Sequence, residues 1–406
     1  MAAQLQSESD VASTTFVGTS GRVHAERLRV LHVLPRLGLG GTEHGVLKVL
    51  AGLGDEQFDH RICAVRGVDT SFVDGMNVTV QTYSAGGAKA GFQFPLFRLM
   101  RIMKEFRPHI VHTRNFGALE AICAARLRRV PVAIHSEHGY ELEILRGLPI
   151  RRRILCRALF PMADAVFAVT RELCLYHSRQ SWLPAGAFRV IHNGVSTERF
   201  APRHMDAGEI RNQLGIPAER FVIGSVGRLV PIKDHLTLLR AVEVVLRRRK
   251  DVHVLLVGDG PERAKLQEYV AASRELTGHV TFFGASGRIP ELMNAMHVFV
   301  LPSICEGMSN TVLEAMATGL PLVVSRTGGN PELVVEGSTG FLFPPGDVQA
   351  LAQHLVMLAE SPDLRRSFGE AARLCAVKQF SLEQMIRSYR DLYFELAARR
   401  NVLHAS

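Results

Sequence analysis

Glu306 and Glu314 stand eight positions apart and bracket Gly307, Met308, Ser309, Asn310, Thr311, Val312 and Leu313. Ser309 or Asn310 can cap a helix there, and Gly319 with Pro321 ends it. The apolar residues 298–301, followed by Pro302, read as a buried strand, so the predicted order is strand, loop, helix. Backbone N–H groups from Gly307 to Asn310 then face outward at a positive helix end, where phosphate binds without a lysine. The two carboxylates are repelled by phosphate and suit sugar or ribose hydroxyls, for which a carboxylate is a strong acceptor. A phosphate flanked by two hydroxyl-bearing rings is a nucleotide sugar.

A second glycine-rich turn lies near the start of the chain. Gly40 and Gly41 follow the apolar run of residues 28–35 and let a βα turn approach a phosphate or an acceptor, with Glu43 opening the next helix. A dinucleotide site is disfavoured. Its fingerprint needs glycine where Glu43 stands, and Cys63, Ala64, Val65 and Arg66 supply no acid for a ribose.

These two turns need strands and helices to hold them, and the chain offers them twice. Residues 28–35, 61–65, 110–112, 132–134 and 165–169 are short apolar runs separated by helical periodicity, as in a doubly wound parallel sheet. Residues 222–226, 252–257, 280–283, 298–301 and 321–325 repeat the scheme, with helices over 236–248 and 261–273. The expected fold is α/β, two Rossmann-like doubly wound domains facing each other across a cleft. The first domain spans residues 27–195 and the second 196–378, with a hinge near Asn193-Gly194. Residues 379–406 form a helix returning to the first domain. Residues 1–26, rich in Ser, Ala, Thr and Gly, read as a disordered tail.

The chain has 406 residues, 47% hydrophobic and 21% charged, enough for two full cores. No apolar run approaches the length of a membrane span. Six cysteines without a CxxC pair suit reduced thiols, and a cytoplasmic location is expected. The net charge of +9 is concentrated in residues 27–198, with roughly 23 Lys and Arg against roughly 14 Asp and Glu. Nothing there resembles a helix-turn-helix, a zinc finger or an aromatic RNA platform, so nucleic acid is not expected. Residues 146–160 mix Arg151, Arg152, Arg153 and Arg157 with apolar residues at helical spacing. They read either as an interfacial helix on the inner face of an anionic membrane or as a helix with a core face and a solvated arginine face.

Several motifs occur in register: Gly40-Gly41-Thr42-Glu43, Glu137-His138-Gly139, His192-Asn193-Gly194-Val195, Gly227-Arg228-Leu229 with Lys233, Gly258-Asp259-Gly260-Pro261, the Glu306 to Glu314 run, and Gly328-Gly329-Asn330-Pro331-Glu332. Together they resemble the family 4 glycosyltransferases, retaining enzymes of the GT-B fold, over nearly the whole chain from about residue 28. Glu137-His138-Gly139 and the segment Val111 to Asn115 look closest to sugar transferases of bacterial exopolysaccharide and exosortase systems.

The resemblance implies a hexosyltransferase that moves a sugar from a nucleoside diphosphate sugar to an acceptor hydroxyl with retention. The expected acceptor is a lipid-linked or polysaccharide precursor for exopolysaccharide or other envelope glycan. It assigns Glu306 to the transferred sugar, Glu314 to the ribose, and Arg228 and Lys233 to the diphosphate, where two cations would neutralise the leaving group. Gly40, Gly41, Gly307, Met308, Ser309, Asn310 and Thr311 line the donor, and Gly284 and Ile289 the base. His138 matches the histidine that bonds the transferred sugar; His112 and His135 compete for that role, and the choice rests on the His-Gly match. With no Asp-x-Asp motif, neither a metal nor another cofactor is expected. A nucleotide-sugar 2-epimerase, a phosphorylase, or an inactive nucleotide-sugar-binding scaffold would share the same architecture.

Overall fold

A computed structural model describes residues 27–38, 40–69, 80–86, 95–140, 147–202 and 207–402. The expected tail of residues 1–26, and Arg146, lie outside the described residues.

The first sheet has seven strands, β1 (Leu28–Leu34), β2 (Phe58–Ala64), β3 (Gln81–Ser84), β4 (Ile110–Arg114), β5 (Val132–Glu137), β6 (Ala165–Ala168) and β7 (Phe188–Val190), in the order β3-β2-β1-β4-β5-β6-β7. The second has six, β8 (Phe221–Val226), β9 (Val252–Val257), β10 (Val280–Gly284), β11 (Val298–Leu301), β12 (Leu322–Ser325) and β13 (Gly340–Phe343), in the order β10-β9-β8-β11-β12-β13. All pairings are parallel. Central strands such as β4, β8, β9 and β11 are buried throughout, which explains their unbroken apolar runs.

Strands β3, β7 and β13 were not expected. β3 reads Gln-Thr-Tyr-Ser at a sheet edge, β7 has three residues, and β13 opens on Gly340. β3 and β7 lack the apolar run that marks a strand, whereas β13 is a short buried run, Phe341-Leu342-Phe343, set between Gly340 and two prolines.

Strand order reverses between β1 and β4 in the first sheet and between β8 and β11 in the second. Such switch points leave a crevice at the carboxyl ends of the strands, where ligands of open α/β sheets bind. The Gly40-Gly41 turn and Asn115 lie beyond β1 and β4; Arg228 and Glu306 lie beyond β8 and β11.

The chain crosses between the sheets twice, side by side. Val195 N–H donates to Phe380 O at 2.9 Å, and Leu382 N–H donates to Val195 O at 2.9 Å. The helix Leu382–Arg399 then lies on the first sheet. Its Met385, Tyr389, Leu392, Tyr393 and Leu396 join a core with Val30, Phe58, Ile110 and Phe167. Leu392 and Leu396 each contribute about 1.5–3 kcal/mol by burial. The Arg189–Glu395 ion pair on the same helix, 41% and 35% exposed, adds less than about 1 kcal/mol.

Candidate active site between the two sheets

The helix Asn310–Thr318 starts as its residues dictate. Ser309 Oγ accepts from Val312 N–H, a cap contributing about 1 kcal/mol, and Gly319 ends the helix in the left-handed region at φ 79°. The remaining first-turn N–H groups suit an anion. Met308, expected along the donor, has a buried side chain whose sulfur accepts from Asn193 N–H at 3.2 Å, so it faces the crossing segment.

Glu306 and Lys233 meet. Lys233 Nζ donates to Glu306 Oε1 at 2.5 Å, and Ser303 Oγ–H donates to the same oxygen at 2.5 Å. The expectation of two cations free for a diphosphate is thereby modified: Lys233 is shared with the carboxylate. Because both donors use Oε1, Oε2 is left among the described residues as acceptor for a substrate hydroxyl.

Arg228 lies across the cleft from the first domain. Burial pushes Glu43 up, and His44 and Arg228 partly offset that rise. Gly41 faces Asn310: a Cβ there would lie 3.6 Å from the Asn310 amide nitrogen, so the two glycine-rich turns oppose each other. Glu314 is partly buried, and burial raises it to about 7 against the pull of Lys48 and Arg199. Lys48 is itself pushed down, first by burial. Gly284 ends β10 at φ 89°, and its carbonyl accepts from Gly258 N–H at 2.8 Å; Ile289 opens the helix Ile289–Asn294.

His138 sits just past β5. Its backbone N–H donates to Asn115 Oδ1 at 2.9 Å and its ring Nε2 lies 2.8 Å from Ser136 Oγ. Burial, and then the Arg114 guanidinium, lower it to about 3, so the ring is neutral. His112 and His135, the competing imidazoles, are fully buried. His138 also lines a cavity of ≈ 170 Å³ with Glu137, Tyr140, Arg152 and His177. Here Glu137 is held below the usual carboxylate range: burial alone would raise it, but His177, His135 and His138 outweigh that.

The two domains touch at this point. A Cβ on Gly307 would lie 2.6 Å from His138 O and 2.7 Å from Gly139 Cα, so only glycine permits the contact. Gly328, at φ 51°, packs on the Glu306 carbonyl, and Gly329 packs on Gly307 and Thr170.

Some contributors were not expected from the sequence. Asn115 holds φ 56° and ψ 163°, a strained conformation for a residue with a Cβ, and its Nδ2 donates to Thr42 Oγ1 at 3.3 Å. Glu332 reaches over from the second domain and accepts from Arg171 N–H at 3.0 Å and Glu172 N–H at 2.9 Å, at the start of the helix Arg171–Ser181. Asn193 Nδ2 donates to Asn310 Oδ1 at 3.3 Å. Asn115, Asn193 and Glu332 stood within motifs of the sequence but had no assigned role at the site; Lys48 gave no signal beyond a charge within an apolar-periodic helix.

Two doubly wound sheets with facing switch points and polar residues at both define the GT-B architecture. Two family models divide the chain: "Glycosyltransferase Family 4" matches residues 39–199 and "Glycosyl transferases group 1" matches residues 206–374. The chain is 29% identical over 388 residues to the UDP-Gal:alpha-D-GlcNAc-diphosphoundecaprenol alpha-1,3-galactosyltransferase of Escherichia coli, covering 92% of this chain and 98% of that one. It is 32% identical over 293 residues to the GDP-mannose-dependent alpha-(1-6)-phosphatidylinositol monomannoside mannosyltransferase of Mycolicibacterium smegmatis, covering 68% and 74%. The crystal structure of Anabaena HepE in complex with UDP superimposes with a TM-score of 0.79 at 21% identity, covering 91% of this chain and 100% of that one. The chain belongs to glycosyltransferase family 4 and is a glycosyltransferase.

Proposed function

We propose that this enzyme transfers a hexose from a nucleoside diphosphate sugar to a hydroxyl of a lipid-linked saccharide, with retention at the anomeric carbon, in the synthesis of exopolysaccharide or another envelope glycan. The observation that carries the reading is the closed approach of Gly307 to His138. It seats Gly307, next to Glu306 and just before the Asn310–Thr318 helix, on the backbone of His138 and Gly139 in the first domain.

In this reading the diphosphate lies on the first turn of that helix with Arg228 beside it, and Glu306 Oε2 and His138 bond the transferred sugar. As the anomeric C–O bond breaks, its electrons stay on the diphosphate, where fixed donors and Arg228 stabilise the developing charge. The acceptor oxygen attacks from the face the leaving group departs, and a diphosphate oxygen takes its proton. No protein nucleophile and no metal enter. Glu314 holds the ribose, and Gly284 and Ile289 border the base.

The lipid-linked acceptor is supported by the two relatives, which act on a diphosphoundecaprenol-linked sugar and a phosphatidylinositol mannoside. Ile150 and Ile154, both 57% exposed, and Trp182, whose ring lies under Arg153 of the same helix, are exposed apolar side chains of the first domain suited to a membrane. Three of the arginines there are engaged within the protein: Arg153 Nε donates to Gln180 O at 3.0 Å, Arg157 donates to Trp182 O at 2.8 Å, and Arg152 lies over the Phe116 ring, while Arg151 is exposed. Among the described residues, no helix is long and apolar enough to cross a membrane.

The test is incubation with UDP-, GDP- and ADP-sugars plus a polyprenyl-diphosphate-linked saccharide, following free nucleoside diphosphate and the anomeric configuration of the product by NMR. Glu306→Ala should fold normally and lose transfer. Release at the wild-type rate by that variant, or an inverted product, would overturn the reading.

A further inference from the structure

A chain of hydrogen bonds runs from the C-terminal helix to the site. Tyr393 Oη lies 2.7 Å from His112 Nδ1, His112 Nε2 lies 2.9 Å from Ser136 Oγ, and Ser136 Oγ lies 2.8 Å from His138 Nε2. Tyr393, His112 and Ser136 are fully buried. They come from three separate elements: the helix Leu382–Arg399, β4 and β5. Burial, and then Arg114, keep His112 far below its ordinary range, as they do His138, so each ring is neutral and carries one N–H.

Proton counting leaves two arrangements. Ser136 has one hydroxyl proton between two imidazole nitrogens, so one nitrogen donates to it and the other accepts from it. Either every donor points toward His138 or every donor points toward Tyr393. Arg114 breaks the tie. Its guanidinium is 1% exposed, can only donate, and lies against the Tyr393 and Tyr389 hydroxyls. A buried cation favours oxygen lone pairs facing it and the hydroxyl proton turned away, toward the acceptor at His112 Nδ1. Tyr393 then donates to Nδ1, His112 donates from Nε2 to Ser136, and Ser136 donates to His138 Nε2.

We infer that Tyr393, acting through His112 and Ser136 and polarised by Arg114, is a positioning residue that fixes His138 as its Nδ1–H tautomer, a neutral hydrogen-bond donor for an oxygen of the transferred sugar. This rests on the proposed role of His138 at that sugar. It also gives the returning C-terminal helix a part in the chemistry beyond packing: the same helix that covers the first sheet sets which nitrogen of a histidine past β5 carries the proton. The reverse polarity would present an acceptor nitrogen, and a hydroxyl would have to turn to meet it.

The test uses the full-length enzyme with ¹⁵N-labelled histidine. Long-range ¹H–¹⁵N spectra should show His138 as the Nδ1–H form, assigned by loss of its signal in His138→Ala. Tyr393→Phe removes only the hydroxyl; His138 should become a mixture of tautomers, and kcat should fall roughly tenfold, the worth of one well-placed hydrogen bond. Donor KM should stay within about twofold. Tyr389→Phe, which removes a neighbouring buried hydroxyl outside the chain, should keep both the tautomer and kcat. An Nε2–H tautomer in the wild type overturns the inference, as does Tyr393→Phe with unchanged tautomer and kcat. Should Tyr393→Phe not fold, Ser136→Ala and the wild-type spectrum decide the same point. Full activity in His138→Ala would instead sink the proposed role of His138 and leave the tautomer result standing.

Discussion

Gly307→Ala is the sharpest probe of the closed cleft. The new Cβ would sit 2.6 Å from His138 O and 2.7 Å from Gly139 Cα, backbone atoms that no side-chain rotation can move. Ordinary contact begins near 3.4 Å, so the domains must separate by about 0.8 Å along that line. The clash lies between domains, so each sheet and its core stay intact and the unfolding midpoint should move little. The consequence falls on chemistry that needs both domains: misplacing reacting groups by about 1 Å costs roughly 10²-fold in rate. We expect kcat/KM to fall by roughly that factor, while affinity for the nucleoside diphosphate alone, assigned to the second domain in the proposed reading, stays near wild type. Steady-state release of nucleoside diphosphate and calorimetric titration with UDP measure the two quantities. Wild-type kcat/KM in Gly307→Ala would refute the argument, because the contact would then not belong to the catalytic arrangement. Equal losses in nucleotide affinity and turnover would also refute it, since they would place the damage within the second domain.

Glu314, raised to about 7 from an ordinary 4.5 chiefly by burial and facing Lys48 and Arg199, stays protonated in the folded chain while the unfolded chain ionises; it therefore lowers stability progressively as pH rises from about 4.5 to 7. Urea titrations at pH 5 and pH 8 should show a smaller loss in Glu314→Gln than in wild type, and donor kcat/KM should rise through about pH 7 only in wild type. Glu332→Ala removes the acceptor of two N–H groups at the start of the Arg171–Ser181 helix and should cost about 1 kcal/mol by urea unfolding; it should also expand the ligand-free protein in small-angle scattering, and an unchanged radius would count against a clasp between domains. Ile150→Asp with Ile154→Asp should abolish flotation with anionic vesicles and leave transfer to a water-soluble acceptor intact; wild-type protein that stays at the bottom of the gradient excludes membrane docking. Transfer should survive EDTA, and full loss restored by Mn²⁺ would disprove metal independence.

The sequence made legible whatever one element carries by itself. Central strands such as β4 and β9 are buried on both faces and so appear as continuous apolar runs, and the cap at Ser309 and stop at Gly319 are local backbone chemistry. The glycine-rich turns beyond β1 and the helix end beyond β11 stood out because close backbone approach needs glycine whatever lies opposite. What lies opposite was not legible. Gly307 meets His138 across 169 positions of chain, Glu332 reaches Arg171 across 161, and no periodicity links such pairs. The edge strand β3 escaped for the converse reason: it is half-solvated and carries no apolar run. The hardest feature to see was the polar chain from Tyr393 to His138. Its members read one by one as a core tyrosine, a strand histidine and a strand serine, and each fits the apolar pattern of its own element. Pairing of β4 with β5 brings His112 within 2.9 Å of Ser136, and docking of the C-terminal helix brings Tyr393 within 2.7 Å of His112. A buried hydroxyl or imidazole without a partner costs about 1–3 kcal/mol, so burying all of them together is tolerable only because each satisfies the next. That mutual dependence is the physical reason for treating the chain as one unit that orients His138, rather than as isolated polar residues within a core.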